Sequence, residues 1–181
     1  MKASTAAYSS APSPTEFLSH NLTTMDIFED YLEKHNKNCR ALTCKSYKKV
    51  YQKESCKKLA DIETNYELAT YGDALFNLAL CHIFLDNCKN LSKTKEEYSK
   101  DKYLVKFVAK HYKLLDYMNF DKDDKLIPNN YGYIKKEKDN DSPHKYIATT
   151  VEAVLGTLFK DENKSFEEIC ALVKSWTKLK K

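Results

Sequence analysis

The sequence contains few residues that interrupt a helix, with three glycines and four prolines in 181 residues. A sandwich or barrel of many strands needs more turn residues than this. Alternation of polar and apolar residues is absent, whereas apolar residues three and four positions apart recur along the chain. The sequence therefore predicts an all-α fold.

Metal-binding cysteine patterns and long apolar runs are also missing. The six cysteines form no CxxC pair and show no Cys/His spacing of a zinc site. No segment approaches the roughly 20 apolar residues that span a bilayer, and residues 1–22 lack the apolar core of a signal peptide. We therefore expect a cytoplasmic protein in a reducing compartment, with no membrane partner. Residues 1–22 would form a flexible N-terminal tail, followed by one domain over residues 23–181.

Arginine is nearly absent, since Arg40 is the only one, and the net charge of +4 is too small to imply a polyanionic partner. The distribution is more informative, because residues 37–58 carry eight basic residues and one acid. This segment, which includes Lys45, Lys48 and Lys49, is compatible with contacts to a phosphate backbone. It is equally compatible with a solvated lysine-rich face.

Four helix starts are predicted from capping patterns, in which Ser or Thr precedes an acid by three positions or a proline by one. They are Thr23 with Asp26, Thr64 with Glu67, Ser142 with Pro143, and Ser165 with Glu168. Apolar residues spaced as on one helix face follow each start, and a further such segment runs over residues 104–115. Residues 120–141 are predicted to form a loop.

Three segments together resemble the endonuclease domain of the ribonuclease III family. They read ALTCKSY at 41–47, NYELATYGDA at 65–74 and YIATTVEAVLG at 146–156. In the same order, they are similar to the family's ALTHxSY stretch, its NERLEFLGDA signature and its DxxEAxxGA motif. The resemblance spans about residues 25–175 and implies an all-α domain of about six or seven helices. It leaves no segment for the double-stranded-RNA-binding domain of the common bacterial members.

The resemblance implies a reduced set of metal ligands. Longer family members use four carboxylates, of which Asp73 and Glu152 are present, while Ala69 and Thr149 occupy the other two positions. Tyr66 replaces the glutamate that normally follows the signature asparagine. The compact Mini-III branch, with signatures resembling AYxGDA and YxxATxxEA, has the same alanine and threonine. By this likeness, Asp73 and Glu152 are the catalytic and metal-ligating residues.

Magnesium or manganese is the cofactor that the resemblance implies. Mg²⁺ keeps several waters and accepts one or two carboxylates, so two protein ligands are compatible with it. Asp73 and Glu152 each lie in an otherwise apolar stretch, unlike an ordinary surface charge. Asn65, Lys145 and Tyr146 are further candidates for contacts to the ligands or to a substrate phosphate.

Two functions of different classes remain open. The first is a metal-dependent endoribonuclease that cleaves double-stranded RNA in RNA processing, as a homodimer with both sites facing one valley. The alternative is a weak or inactive relative that acts as an RNA-binding or ribosome-associated module; a purely structural helical protein is a third hypothesis. One carboxylate retained on each motif helix favours the enzyme. The alternative is favoured by Ala69, Thr149, Tyr66 and Cys44.

Overall fold

The computed structural model describes residues 26–37, 39–48, 63–121, 131 and 143–180. Within these ranges the chain forms six α-helices and no strand, which confirms the all-α prediction. The helices are α1 (Ile27–His35), α2 (Tyr66–Phe84), α3 (Leu91–Tyr98), α4 (Asp101–Tyr103), α5 (Pro143–Lys160) and α6 (Phe166–Trp176). The predicted tail over 1–22 and nearly all of the predicted loop over 120–141 lie outside the described residues.

Short irregular helices complete the described architecture. Two 3₁₀ turns span Arg40–Leu42 and Leu114–Asp116, and a π-helix over Leu104–Ala109 follows α4 directly. An isolated parallel bridge joins Thr43 to Asn119, so the segment before α2 lies beside the segment that follows the second 3₁₀ turn. No helix in the described part of the chain is both long enough and apolar enough to cross a membrane.

The centre of the fold is the pairing of α2 with α5, the most extensive contact between any two described elements. The two backbones meet at a pair of glycines. A Cβ atom on Gly72 would overlap the backbone carbonyl of Glu152, and one on Gly156 would lie 2.5 Å from the carbonyl oxygen of Leu68. Glycine is therefore required at both positions for α2 and α5 to approach this closely.

The apolar faces predicted for the last two helices are buried. In α5 they are Ile147, Val151, Val154, Leu155 and Leu158, and in α6 they are Ile169, Leu172, Val173 and Trp176. The Trp176 indole N–H donates to the Tyr112 hydroxyl (3.1 Å), which donates in turn to the carboxylate of Asp26. This chain of hydrogen bonds links α6 to the start of α1 through the interior.

Two of the predicted helix starts are confirmed and one is corrected in position. Ser165 and Glu168 form the predicted reciprocal capping box of α6, and α5 begins at Pro143 as predicted. Ser142, the predicted cap of α5, lies outside the described residues. The first helix is capped by Asp26, whose side chain accepts the backbone N–H of Phe28 (3.1 Å). Thr23, the predicted cap, lies outside the described residues.

The predicted capping box of Thr64 with Glu67 is wrong. Asn65 is the N-cap residue of α2, and its side chain makes no capping hydrogen bond. Glu67 instead accepts a hydrogen bond from the guanidinium of Arg40 (2.5 Å), which also donates to the carbonyl oxygen of Thr64 (3.1 Å). The carboxylate of Glu67 therefore pairs with a cation from the segment before α2 and not with the first turn of its own helix.

We expect Gly72→Ala to destabilise the fold by about 2 kcal/mol or more, because the added methyl group forces α2 and α5 apart. Thr70→Ala, on the exposed side of the same helix, is the matched control and should change stability by less than about 0.5 kcal/mol. Urea denaturation of both variants measures the difference. Equal stability of the two variants would contradict the close packing at Gly72.

Candidate active site

The glycine contact places the two predicted carboxylates on adjoining helices. Asp73 directly follows Gly72 in α2, and Glu152 is the residue of α5 whose backbone carbonyl faces Gly72. Asp73 is exposed, and the side-chain amide of Asn77, one turn further along α2, donates to its Oδ1 (2.8 Å). Asn77 therefore orients the Asp73 carboxylate, a role that the motif comparison did not predict.

Glu152 is half-buried on α5 and interacts electrostatically with Asp73. Burial is the main reason that the pKa of Glu152 rises from 4.5 to about 8, and repulsion from Asp73 and Asp101 adds to it. The ammonium of Lys145 acts in the opposite direction and lowers the pKa. The free protein therefore holds Glu152 largely protonated at neutral pH.

Asp101 is a third carboxylate at this site, and the sequence motifs did not predict it. It is the first residue of α4 and is half-buried. Burial raises its pKa, repulsion from Asp73 raises it further, and the charge of Lys145 lowers it. The only sequence signal for Asp101 is an acid at the start of an apolar helical segment, which is also the pattern of an ordinary helix start.

Four charged side chains from three helices thus act on one another. Asp73 comes from α2, Asp101 from α4, and Lys145 and Glu152 from one face of α5, two turns apart. Three carboxylates against one ammonium leave an excess of negative charge when all are ionised. Their oxygens are the ligand type that Mg²⁺ prefers. No three His, Cys, Asp or Glu residues in the described ranges are arranged to hold a metal ion by themselves.

The other predicted contact residues separate into distinct environments. Lys145 is exposed and interacts with Glu152 and Asp101, so it does belong to the site. Asn65 is only 3% exposed and donates to the Thr150 hydroxyl of α5 (2.9 Å), so its predicted contact to the ligands or to a substrate phosphate stays a prediction. Tyr146 is half-buried against the core.

The predicted basic segment is described only in part. Lys45 is exposed and Lys48 is half-buried, both just after the buried Cys44. Lys49 and the rest of the segment up to residue 58 lie outside the described ranges. A substrate contact by these lysines therefore stays a prediction.

The positions that depart from the longer family members lie in different environments. Ala69 is buried in the core, Thr149 is half-buried one turn before Glu152, and Tyr66 is exposed at the start of α2. Cys44 is fully buried beside the Thr150 hydroxyl (3.6 Å), and burial raises the pKa of its thiol to about 11. Cys44 is thus a neutral packing residue that ties the segment before α2 to α5.

The raised pKa of Glu152 predicts how stability depends on pH. Between pH 4.5 and about 8 the folded protein keeps a proton on Glu152 that the unfolded chain has released. Stability should therefore fall as pH rises through this window, by at most about 1.4 kcal/mol per pH unit from this group.

Glu152→Gln removes the titration and should flatten this part of the profile, with its largest gain in stability near pH 8. Urea denaturation in EDTA from pH 5 to 8.5 compares the variant with the wild type. Asp86→Asn, which removes an exposed carboxylate at the end of α2, is the control and should keep the wild-type slope. If stability fell with pH equally steeply in Glu152→Gln and in the wild type, this would contradict a raised pKa of Glu152 in the folded protein.

Comparison with known families agrees with this geometry. A family model described as Ribonuclease III domain matches residues 66–163, which is more than half of the chain. The matched range starts with α2, ends just after α5 and contains all four charged residues of the site. Comparisons with curated proteins and with solved structures found no match. The α2–α5 pairing, the carboxylates beside it and the matched range lead to one conclusion: this chain belongs to the ribonuclease III domain family.

Proposed function

We propose that this protein is an endoribonuclease that cleaves double-stranded RNA with the help of a divalent metal ion. The observation that carries the proposal is the placement of Asp73 and Glu152 side by side at the glycine contact of α2 and α5. Membership of the ribonuclease III domain family supports the reaction class. A-form duplexes expose phosphates and 2′-hydroxyls across a shallow minor groove, so shape rather than sequence would select the substrate.

The donor set fits Mg²⁺ or Mn²⁺. Asp73 and Glu152 would hold the ion, and Asp101 adds negative charge beside them. When bound, the ion polarises a phosphoryl oxygen and makes water a better nucleophile. Because no three His, Cys, Asp or Glu residues of the described chain are grouped to hold a metal, waters and substrate oxygens would complete the coordination, as Mg²⁺ commonly requires.

The chain's own residues have separate tasks in this proposal. Asn77 keeps the Asp73 carboxylate in one orientation through its 2.8 Å hydrogen bond. Lys145 is exposed beside the carboxylates and can bind a non-bridging phosphate oxygen, which draws the scissile phosphate toward them. Lysine is suited to this role because its ammonium acts as a point charge on phosphate.

One observation favours the alternative, an RNA-binding module without cleavage. Two positions that carry carboxylates in longer family members hold Ala69 and Thr149 here. The carboxylate of Asp101 counts against this reading, because it restores negative charge to the site from a third helix. Cleavage measurements separate the two hypotheses.

A homodimer is part of the proposal, and an apolar stripe along α2 and its C-cap residue supports it. Tyr71, Leu78 and Leu85 are seven residues apart and 43%, 58% and 63% exposed. Residues spaced by seven lie on one helix face, and large exposed apolar patches mark interaction sites. A two-fold pairing through this stripe would bury the same apolar face of α2 on both protomers.

For the activity we expect Asp73→Asn and Glu152→Gln each to reduce cleavage of a labelled RNA duplex by about 100-fold or more. Asp101→Asn should cause a smaller loss that higher Mg²⁺ concentration partly restores, because Asp101 contributes charge rather than the main contact. The control Asp86→Asn should cleave like the wild type.

EDTA should abolish cleavage, and Mg²⁺ or Mn²⁺ should restore it. A wild-type protein that binds duplex RNA but does not cleave it with either metal would establish the non-catalytic alternative. Cleavage unchanged by both main substitutions would place the active site elsewhere.

For the dimer we expect Leu78→Glu to produce a monomer of about half the wild-type mass in light scattering, because a charge in an apolar interface is costly. Ser92→Glu adds the same charge to an exposed position of α3 and is the control. A wild-type mass of 21.0 kDa at micromolar concentration would contradict the dimer.

A further inference from the structure

Three lysines form a ridge along the helical segment that begins at Asp101. The segment continues from α4 through the π-helix and ends at His111. Lys102, Lys106 and Lys110, here called the lysine ridge, are four residues apart, so they follow one another along one face. Lys102 and Lys110 are exposed and Lys106 is half-buried, while Leu104, Val105 and Val108 bury the opposite face.

The charge of the lysine ridge is not compensated within the described residues. None of its three ammonium groups forms an ion pair there, whereas Lys34, Lys100, Lys164 and Lys180 each pair with a glutamate. Residues 102–115 contain no acid at all. An ordinary solvated helix face mixes the two signs, and like charges four residues apart destabilise a helix. This cost is offset when a polyanion lies along the face.

The lysine ridge starts next to the candidate active site. Lys102 directly follows Asp101, whose carboxylate interacts with those of Asp73 and Glu152. The α-helical rise of about 1.5 Å per residue sets an upper bound of about 12 Å between Lys102 and Lys110, because the wider turns of the π-helix rise less, and this spans a few phosphates of one strand. The lysine ridge is therefore on the same helical segment as one of the three carboxylates and begins one residue after it.

We propose that the lysine ridge binds the sugar–phosphate backbone of the duplex RNA outside the bond that is cut. This inference rests on the proposed function for the identity of the polyanion. Lysine ammonium groups contact phosphates without reading bases. The ridge would therefore add affinity and fix the position of the protein along the duplex, but it would give no sequence preference.

The test replaces the ridge lysines together, as Lys102→Gln, Lys106→Gln and Lys110→Gln in one variant. The control variant carries Lys89→Gln, Lys93→Gln and Lys174→Gln, three exposed lysines of other surfaces without ion pairs in the described residues. Both variants lose three positive charges. A difference in RNA binding between them therefore depends on where the lysines lie and not on net charge.

Binding of a fluorescent RNA duplex is measured by anisotropy in EDTA, between 50 and 200 mM KCl. The ridge variant should bind about tenfold or more weakly, and its slope of log affinity against log salt should be shallower by about 3. The control variant should keep the wild-type slope. Wild-type affinity and slope in the ridge variant, or equal losses in both variants, would overturn the proposal.

Two further readouts separate folding and catalysis from binding. The ridge variant should melt no lower than the wild type, because glutamine removes the repulsion between lysines; a large fall in Tm would overturn the assignment of the ridge as a binding surface. If the wild type binds duplex RNA through the ridge but does not cleave it, the binding role of the ridge is supported and the nuclease proposal is wrong. If the wild type cleaves and the ridge variant binds normally, only the ridge fails.

Discussion

The backbone contact between α2 and α5 is the constraint on which the candidate site depends. Two glycines, Gly72 and Gly156, let the helices approach until no side-chain atom fits between them. The residues beside that contact, Asp73 and Glu152, are consequently held near each other by the main chain itself. Rigid elements of this kind position functional groups more precisely than loops do.

The charged side chains of the site destabilise the folded protein and favour the binding of a cation. The site combines three carboxylates with one ammonium, and burial together with repulsion from Asp73 and Asp101 raises the pKa of Glu152. Such an arrangement costs stability in the free protein, and a bound cation offsets the cost. The buried hydrogen bond from Asn65 to Thr150 and the apolar face of α5 supply the stability that the charged cluster lacks.

The position of Asp101 bears on how the two missing family carboxylates are interpreted. Ala69 and Thr149 remove two acids from the motif helices, but Asp101 approaches the site from a third helix. The same short segment then presents lysines of the opposite sign immediately after Asp101. Negative charge that could hold a cation and positive charge that could bind phosphates are therefore adjacent on one helical segment, which is compatible with the proposed nuclease.

The sequence by itself determined the helical features that depend on residues close together in the chain. The apolar stripes of α5 and α6, the capping box of Ser165 and the motifs that contain Asp73 and Glu152 all follow from spacing within a few turns. Tertiary structure alone decided the partners of Glu67 and Asn65, because Arg40 and Thr150 lie 27 and 85 residues away in the chain. It also decided that Asp101 joins the site. Contacts of this kind leave no periodic signal, since they depend on how helices pack and which charges that packing brings together.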